Sequence, residues 1–120
     1  MNKDSTSKQY DLEDRTLEYG IQIIRLAKKL PQNTVNFKLC DQFIRSGTSM
    51  GANYREANET QTKKDFNFRI RICRKEGKET IYWLQLAIEA NKDFKNTIEP
   101  LIQEATELVK IFASIAEKSK

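Results

Sequence analysis

Apolar residues return along the chain in steps of three, four and seven, in four separate stretches. That is the spacing of amphipathic helices rather than of strands. The first stretch, about Asp11 to Leu30, carries Leu12, Tyr19, Ile23, Leu26 and Leu30 on one stripe, widened by Ile24 and Ala27. Asp11, Glu13 and Asp14 near its start and Lys28 and Lys29 near its end suit the helix dipole, and Pro31 stops it. Thr34 stands where a cap is needed for a second helix, about Val35 to Ala57, striped by Val35, Leu39, Phe43, Met50 and Tyr54. Gly47 and Gly51 each weaken that helix by ~1 kcal/mol. Either a neighbouring helix approaches closely there or the helix breaks near Ser46-Gly47; the apolar spacing runs through the pair unshifted, which favours close approach.

Thr62 followed by Asp65 reads as a capping box with Asp in place of Glu, opening a third helix that runs to about Asn91, the longest of the four. After a loop at Asn91 to Asn96, the fourth helix (about Thr97 to Lys118) has a clean stripe from Ile98 and Leu101 through Ala105, Leu108, Val109 and Phe112 to Ile115 and Ala116. Pro100 is tolerated if it falls in the first turn. Short connections between long helices make neighbours antiparallel. The pattern predicts an all-α, up-and-down antiparallel four-helix bundle over residues 11–118, one domain, behind a flexible tail at 1–10.

Composition narrows function more than fold. A chain of 120 residues buries enough surface for one core without staples. Four glycines and two prolines are too few for a turn-rich β-sandwich. No apolar run approaches the ~18 residues that a membrane span needs. The first ten residues lack the apolar stretch of a secretory signal. Cys40 and Cys73, the only cysteines, are expected as free thiols, with Cys73 on a core stripe. A cytoplasmic location follows. Histidine is absent, which removes the usual neutral-pH base and the commonest transition-metal ligand. A Ser-His-Asp mechanism is impossible with this chain alone, and the Glu-x-x-His pattern of di-iron bundles fails. The reading is of a protein that is not an enzyme, with no cofactor, metal, membrane or evident small-molecule substrate.

The third helix has more than one apolar side. Phe66, Ile70, Cys73, Leu84 and Ile88 share a stripe that can line the core; Phe68, Ile72, Trp83, Leu86 and Ala90 lie on the other side of the wheel. A second stripe with a Trp and a Phe calls for a second partner. Phe68, Ile72, Trp83 and Leu86 are therefore candidates for a homo-oligomer interface, the bland alternative being a helix buried on both sides by its own chain. Between Lys63 and Glu79, seven basic residues stand against three acidic ones, a surplus equal to the net charge of +4 of the whole chain. All of the basic residues except Arg69 fall within ~120° of the wheel. Lys64, Arg71, Arg74, Lys75 and Lys78 form a candidate phosphate-binding surface for RNA or DNA; the alternative is a solvated face that happens to be basic. No aromatic residue inside that arc offers an obvious stacking platform, Tyr82 being the nearest.

Two motifs remain. Gln42-Phe-Ile-Arg45-Ser46-Gly-Thr-Ser49-Met50-Gly-Ala-Asn53-Tyr54-Arg-Glu56 fits Q-x-x-R-S-x-x-S-(hydrophobic)-x-x-N-(hydrophobic)-x-E, and Lys75-Glu76-Gly-Lys-Glu79-Thr80-Ile-Tyr82-Trp83-Leu84 fits K-E-x-x-E-T-x-Y-W-L. At this spacing the pair resembles the four-helix-bundle proteins encoded in intervening sequences of bacterial 23S ribosomal RNA, over about Tyr10 to Ala116. The resemblance implies a ring-shaped pentamer in a family whose role is mostly unknown. A related branch, the accessory proteins of diversity-generating retroelements, resembles a basic pentameric barrel that binds a reverse transcriptase and nucleic acid. Its partners would then be further copies of the chain, RNA or DNA, or a nucleic-acid-associated protein. The association with ribosomes reflects where such reading frames lie and is no sign of ribosome binding. Ala57 departs from a glycine that often follows the motif's Glu and cannot readily cap in the left-handed conformation, so the second helix should end later or differently. Arg45, Ser49 and Glu56 share one face. Arg45 is expected to bridge to Glu76 or Glu79, and Asn53 to hydrogen-bond at the edge of the apolar stripe, so Arg45, Ser49, Asn53, Glu56, Glu76 and Glu79 read as a structural polar network rather than a ligand site. The leading reading is an oligomeric scaffold or binding protein; the rival is a purely structural self-assembly module with no nucleic-acid ligand.

Overall fold

A computed structural model describes residues 6–120, with side chains described from Leu12 onward. It has four α-helices, α1 (Thr6–Lys29), α2 (Thr34–Asn58), α3 (Lys63–Ala90) and α4 (Lys95–Lys118), with a 3-10 turn at Lys92–Phe94 leading into α4. The 28 residues of α3 make it the longest. At 1.5 Å per residue it spans about 42 Å, nearly the whole 44 Å long axis of the molecule.

Each helix pairs head to tail with the next, and the side-chain register shows it. Between α1 and α2, Ile23 lies against Gly47 and Thr16 against Gly51. Between α2 and α3, Cys73 Sγ meets the Met50 carbonyl and Asn36 meets Asn91. Asn67 of α3 donates to the Ala116 carbonyl of α4 while Gly77 lies against Val109, and the Tyr19 hydroxyl of α1 donates to the Leu101 carbonyl of α4 while Arg15 donates to Glu104. In every pair, numbers rise on one helix as they fall on the other. α3 packs broadly on α2 and α4, α1 on α2 and more narrowly on α4, while α1 and α3, like α2 and α4, sit on the diagonals without close backbone approach among the described residues. This is an antiparallel up-and-down bundle.

Local chemistry sets the ends. Asn33, with the extended backbone a cap requires, accepts from the Asn36 N–H at 2.8 Å. Thr34 is already helical, so the cap falls one residue before the position read from the sequence. Thr62 caps α3 as expected, accepting from Asp65 N–H at 3.1 Å. α1 starts at Thr6, so residues 6–10 of the expected tail are helical, while its residues 1–5 lie outside the described residues. Asp11, Glu13 and Asp14 consequently fall beyond the first turn. α4 starts at Lys95 because the 3-10 turn winds straight into it. Pro100 therefore stands inside the helix rather than in its first turn; the carbonyl it leaves without a donor belongs to exposed Asn96, where water can take the bond.

α2 is continuous through its glycines. A Cβ on Gly47 would stand 3.0 Å from Ile23 Cγ1, and one on Gly51 3.0 Å from Thr16 Oγ1. Their absence lets α1 lie directly against α2. Ala57 is buried inside the last turn, and Glu59 closes the helix in a right-handed conformation, so no left-handed residue is needed.

Tyr19, Ile23, Phe43, Met50, Ile70, Leu84, Ile98, Leu108 and Phe112 make a continuous buried core. Burial of such side chains stabilises by about 1.5–3 kcal/mol each. Two positions assigned to the stripes are outside it. Val35 is exposed in the first turn of α2, where the adjacent Asn36 takes the buried side, and Ile24 is exposed because α1 has partners on one side only. Leu39 is half-buried.

Candidate functional site

The side of α3 that faces α2 carries a polar seam. Arg45 donates through one guanidinium nitrogen to Glu79 at 2.7 Å and through the other to Glu76 at 3.3 Å. Further along, Asn53 donates to Ser49 Oγ at 2.9 Å and accepts from Arg69 at 3.0 Å, and Arg69 also approaches Glu56 at 3.9 Å. The six residues expected to form one network thus lie in two clusters, one around Arg45 and one around Asn53. Beneath them, the buried hydroxyl of Thr80 bonds that of Ser46 at 2.8 Å. Arg69 completes the second cluster. It was the one cation outside the basic arc, and that angular displacement is the signal that marked it. The clusters face partly into solvent, where an ion pair adds only about 0–1 kcal/mol, so they set register more than stability. Each carboxylate of the seam has a guanidinium beside it. Cys73, below the seam, is buried, and burial pushes its thiol up to about 12. Burial raises the half-buried thiol of Cys40 as well.

The outer side of α3 is different. Lys64, Arg71, Arg74, Lys75 and Lys78 are all exposed. Among the described residues none lies within ion-pair distance of a carboxylate. Four of them line an open depression of about 820 Å³ along the helix, with Phe68 and Ile72 toward one end and Tyr82 toward the other. Its one acidic residue, Glu79, is held by Arg45. A second depression of about 450 Å³ shares Phe68 and Arg71 with the first and takes in Lys63 and Lys64. The two form one basic track from Lys64 to Tyr82.

Phe68 is 58% exposed and Tyr82 55% exposed, and both lie among the cations. This corrects the expectation that the arc lacks aromatic platforms. Phe68 and Lys75 are seven residues apart, hence only ~20° apart on the wheel. Dividing the wheel into a basic arc and an apolar stripe separated residues that are neighbours on the surface. The four apolar candidates divide as well. Phe68 and Ile72 belong to the depression, whereas Trp83 packs partly on the core and meets the Tyr82 ring edge-on at 5.1 Å, and Leu86 is exposed.

Further apolar side chains stand in solvent, Leu17 and Ile24 on α1 and Phe37 on α2, the last 72% exposed; sequence reasoning did not single out Leu17 or Phe37 and placed Ile24 on the core stripe. Leu17 and Ile24 stand seven apart, hence along one line of α1, which was the available sign. Among the described residues no group of three or more His, Cys, Asp or Glu could hold a metal ion, and no helix is long and apolar enough to cross a membrane.

The family model for the 23S rRNA-intervening sequence protein matches residues 8–114. Among solved structures, the chain is similar to a protein of unknown function from the S23 ribosomal protein family of Bacteroides thetaiotaomicron, solved at 1.70 Å resolution. The two are 36% identical with a TM-score of 0.83, over 92% of this chain and 98% of that one. No curated protein matches.

Proposed function

This chain belongs to the 23S rRNA-intervening sequence protein family, and from that premise we propose that it is a non-catalytic, self-assembling scaffold that binds nucleic acid through the outer face of α3. The observation that carries the reading is the basic track itself, in which Arg71, Arg74, Lys75 and Lys78 share a depression with one carboxylate, already engaged by Arg45. Unpaired surface cations in a line favour a polyanion, because each phosphate they neutralise releases condensed counterions. Such contacts position a strand without reading its sequence. Self-association is supported by the apolar side chains a single copy leaves in solvent, Leu86 on α3 and Leu17, Ile24 and Phe37 on α1 and α2. Five copies are expected from the family resemblance. A ring of them would present five basic tracks and gain avidity on any polyanion long enough to span two. The cytoplasm, where RNA and DNA are both at hand, is the compartment this reading implies.

The test is binding of labelled RNA and DNA at low and high salt by the parent and by a triple variant, Arg71→Glu, Lys75→Glu and Lys78→Glu. The parent should bind with weak sequence preference and lose affinity steeply with salt. The variant should lose binding while keeping its helical content and oligomer size. A parent that binds neither polymer at low salt, or a variant that binds as well as the parent, removes nucleic acid from the reading and leaves a self-assembly module. Light scattering that finds only a 14.0 kDa species removes the assembly.

A further inference from the structure

We infer that the track on α3 takes single-stranded rather than duplex nucleic acid, with Phe68 and Tyr82 as its stacking platforms; this rests on the reading above that the face binds nucleic acid at all. The two rings are more than half exposed and lie in one depression with the cations between them. Fourteen residues separate them, about 21 Å along the helix axis, room for several nucleotides. A solvent-facing aromatic ring is an unfavourable neighbour for water and gains from a flat apolar partner. Bases in a duplex are already stacked and hide their faces, so a duplex would leave both rings without a partner. An unpaired strand offers a π-face at each nucleotide and charge between them, which matches the alternation along the track: Phe68, then Arg71, Lys75 and Lys78, then Tyr82. Tyr82 is also braced. Its ring meets that of Trp83 at 5.1 Å and 72°, and Trp83 is itself packed partly on the core, so the platform is held before a strand arrives. Phe68 is thereby moved from the oligomer interface to the ligand.

The probes are a fluorescent 12-nucleotide oligo(U), a 12-base-pair RNA duplex and heparin, titrated at fixed low salt against the assembled protein. Oligo(U) should bind at least tenfold more tightly than the duplex. Phe68→Ala and Tyr82→Ala should each weaken oligo(U) by about tenfold, change heparin binding little, and leave oligomer size unchanged by light scattering. Phe68→Trp and Tyr82→Phe, which keep a ring, should bind oligo(U) as the parent does. Equal affinity for oligo(U) and duplex, or alanine variants that bind oligo(U) like the parent, overturns the inference and leaves a basic surface for any polyanion. A Phe68→Ala protein that falls to protomers returns Phe68 to the interface and overturns its assignment here. Failure of the parent to bind any of the three probes overturns instead the nucleic-acid reading on which the inference rests.

Discussion

Where α3 meets α2, both guanidiniums in reach have partners: Arg45 holds Glu76 and Glu79, and Arg69 holds Asn53 and approaches Glu56. On the outer side of the same helix, four cations share a depression whose only carboxylate is already taken by Arg45. The residue types are alike on the two sides, and the difference is whether the charge is answered within the protomer. Answered charges fix how two helices align, and changing them disturbs the fold. Unanswered charges cost little to change and remain available to something outside. The contrast gives one side a structural part and leaves the other open to the binding proposed above, and each variant tries to blur it.

The largest effect is expected on the inner side, from Gly77→Leu. A Cβ there would stand 2.6 Å from Val109 Cγ2 and 3.1 Å from Met50 Sδ. Overpacking at the centre of α3 should cost about 3 kcal/mol in chemical denaturation. A variant as stable as the parent would mean that α3 and α4 are not as tightly packed as the structure has them. Next comes Thr80→Val, which leaves the buried Ser46 hydroxyl without its cross-helix partner; the loss should be about 1 kcal/mol by the same measurement.

Alkaline pH probes the buried layer beneath the seam. Burial holds the Cys73 thiol at about 12 in the folded protein against 9.0 in a free thiol. The unfolded chain gives up that proton first, so the contribution is full below about pH 9 and declines as pH rises toward about 12. By pH 10 the loss is on the order of 1 kcal/mol, and burial of the Tyr19 phenol acts in the same direction. Cys73→Ala should flatten the decline, seen as a smaller drop in Tm between pH 8 and pH 10. An unchanged drop would show that Cys73 is reached by solvent. The smallest effect on stability belongs to the outer side. Lys75→Gln and Lys78→Gln should each leave unfolding within about 0.5 kcal/mol of the parent. A larger loss would mean that these charges are answered after all.

The bundle was legible in the sequence because periodicity reports directly which side of a helix is buried. Leu12, Tyr19, Ile23, Leu26 and Leu30 recur at helical spacing, and all five are buried. Boundaries were less legible, since caps depend on one residue's backbone: Asn33 rather than Thr34, and Lys95 rather than Thr97. The polar seam was half visible. Spacing on α2 put Arg45 and Ser49 on one face, but only the register between α2 and α3 brings Arg69 to Asn53. The outer track was visible as charge and misread as lacking aromatics, because the wheel was divided into a basic arc and an apolar stripe although Phe68 and Tyr82 each stand only ~20° from Lys75. Leu17 and Phe37 were passed over, and Ile24 was counted with the core stripe, because exposure depends on which sides of α1 and α2 have neighbours, and no single helix records that.

The division of α3 into an answered and an unanswered side is tested most directly by the salt dependence of oligo(U) binding in three proteins. They are the parent, an outer-side variant with Arg71→Gln, Lys75→Gln and Lys78→Gln, and an inner-side variant with Arg69→Gln, which leaves the Arg45–Glu79 pair intact. Each single-strand phosphate contact contributes about 0.7 to the slope of log K against log salt. The outer-side variant should therefore lose about 2 from the parent's slope, and the inner-side variant should keep the parent's slope even if its Tm falls. A slope that drops in the inner-side variant and holds in the outer-side one would contradict the account.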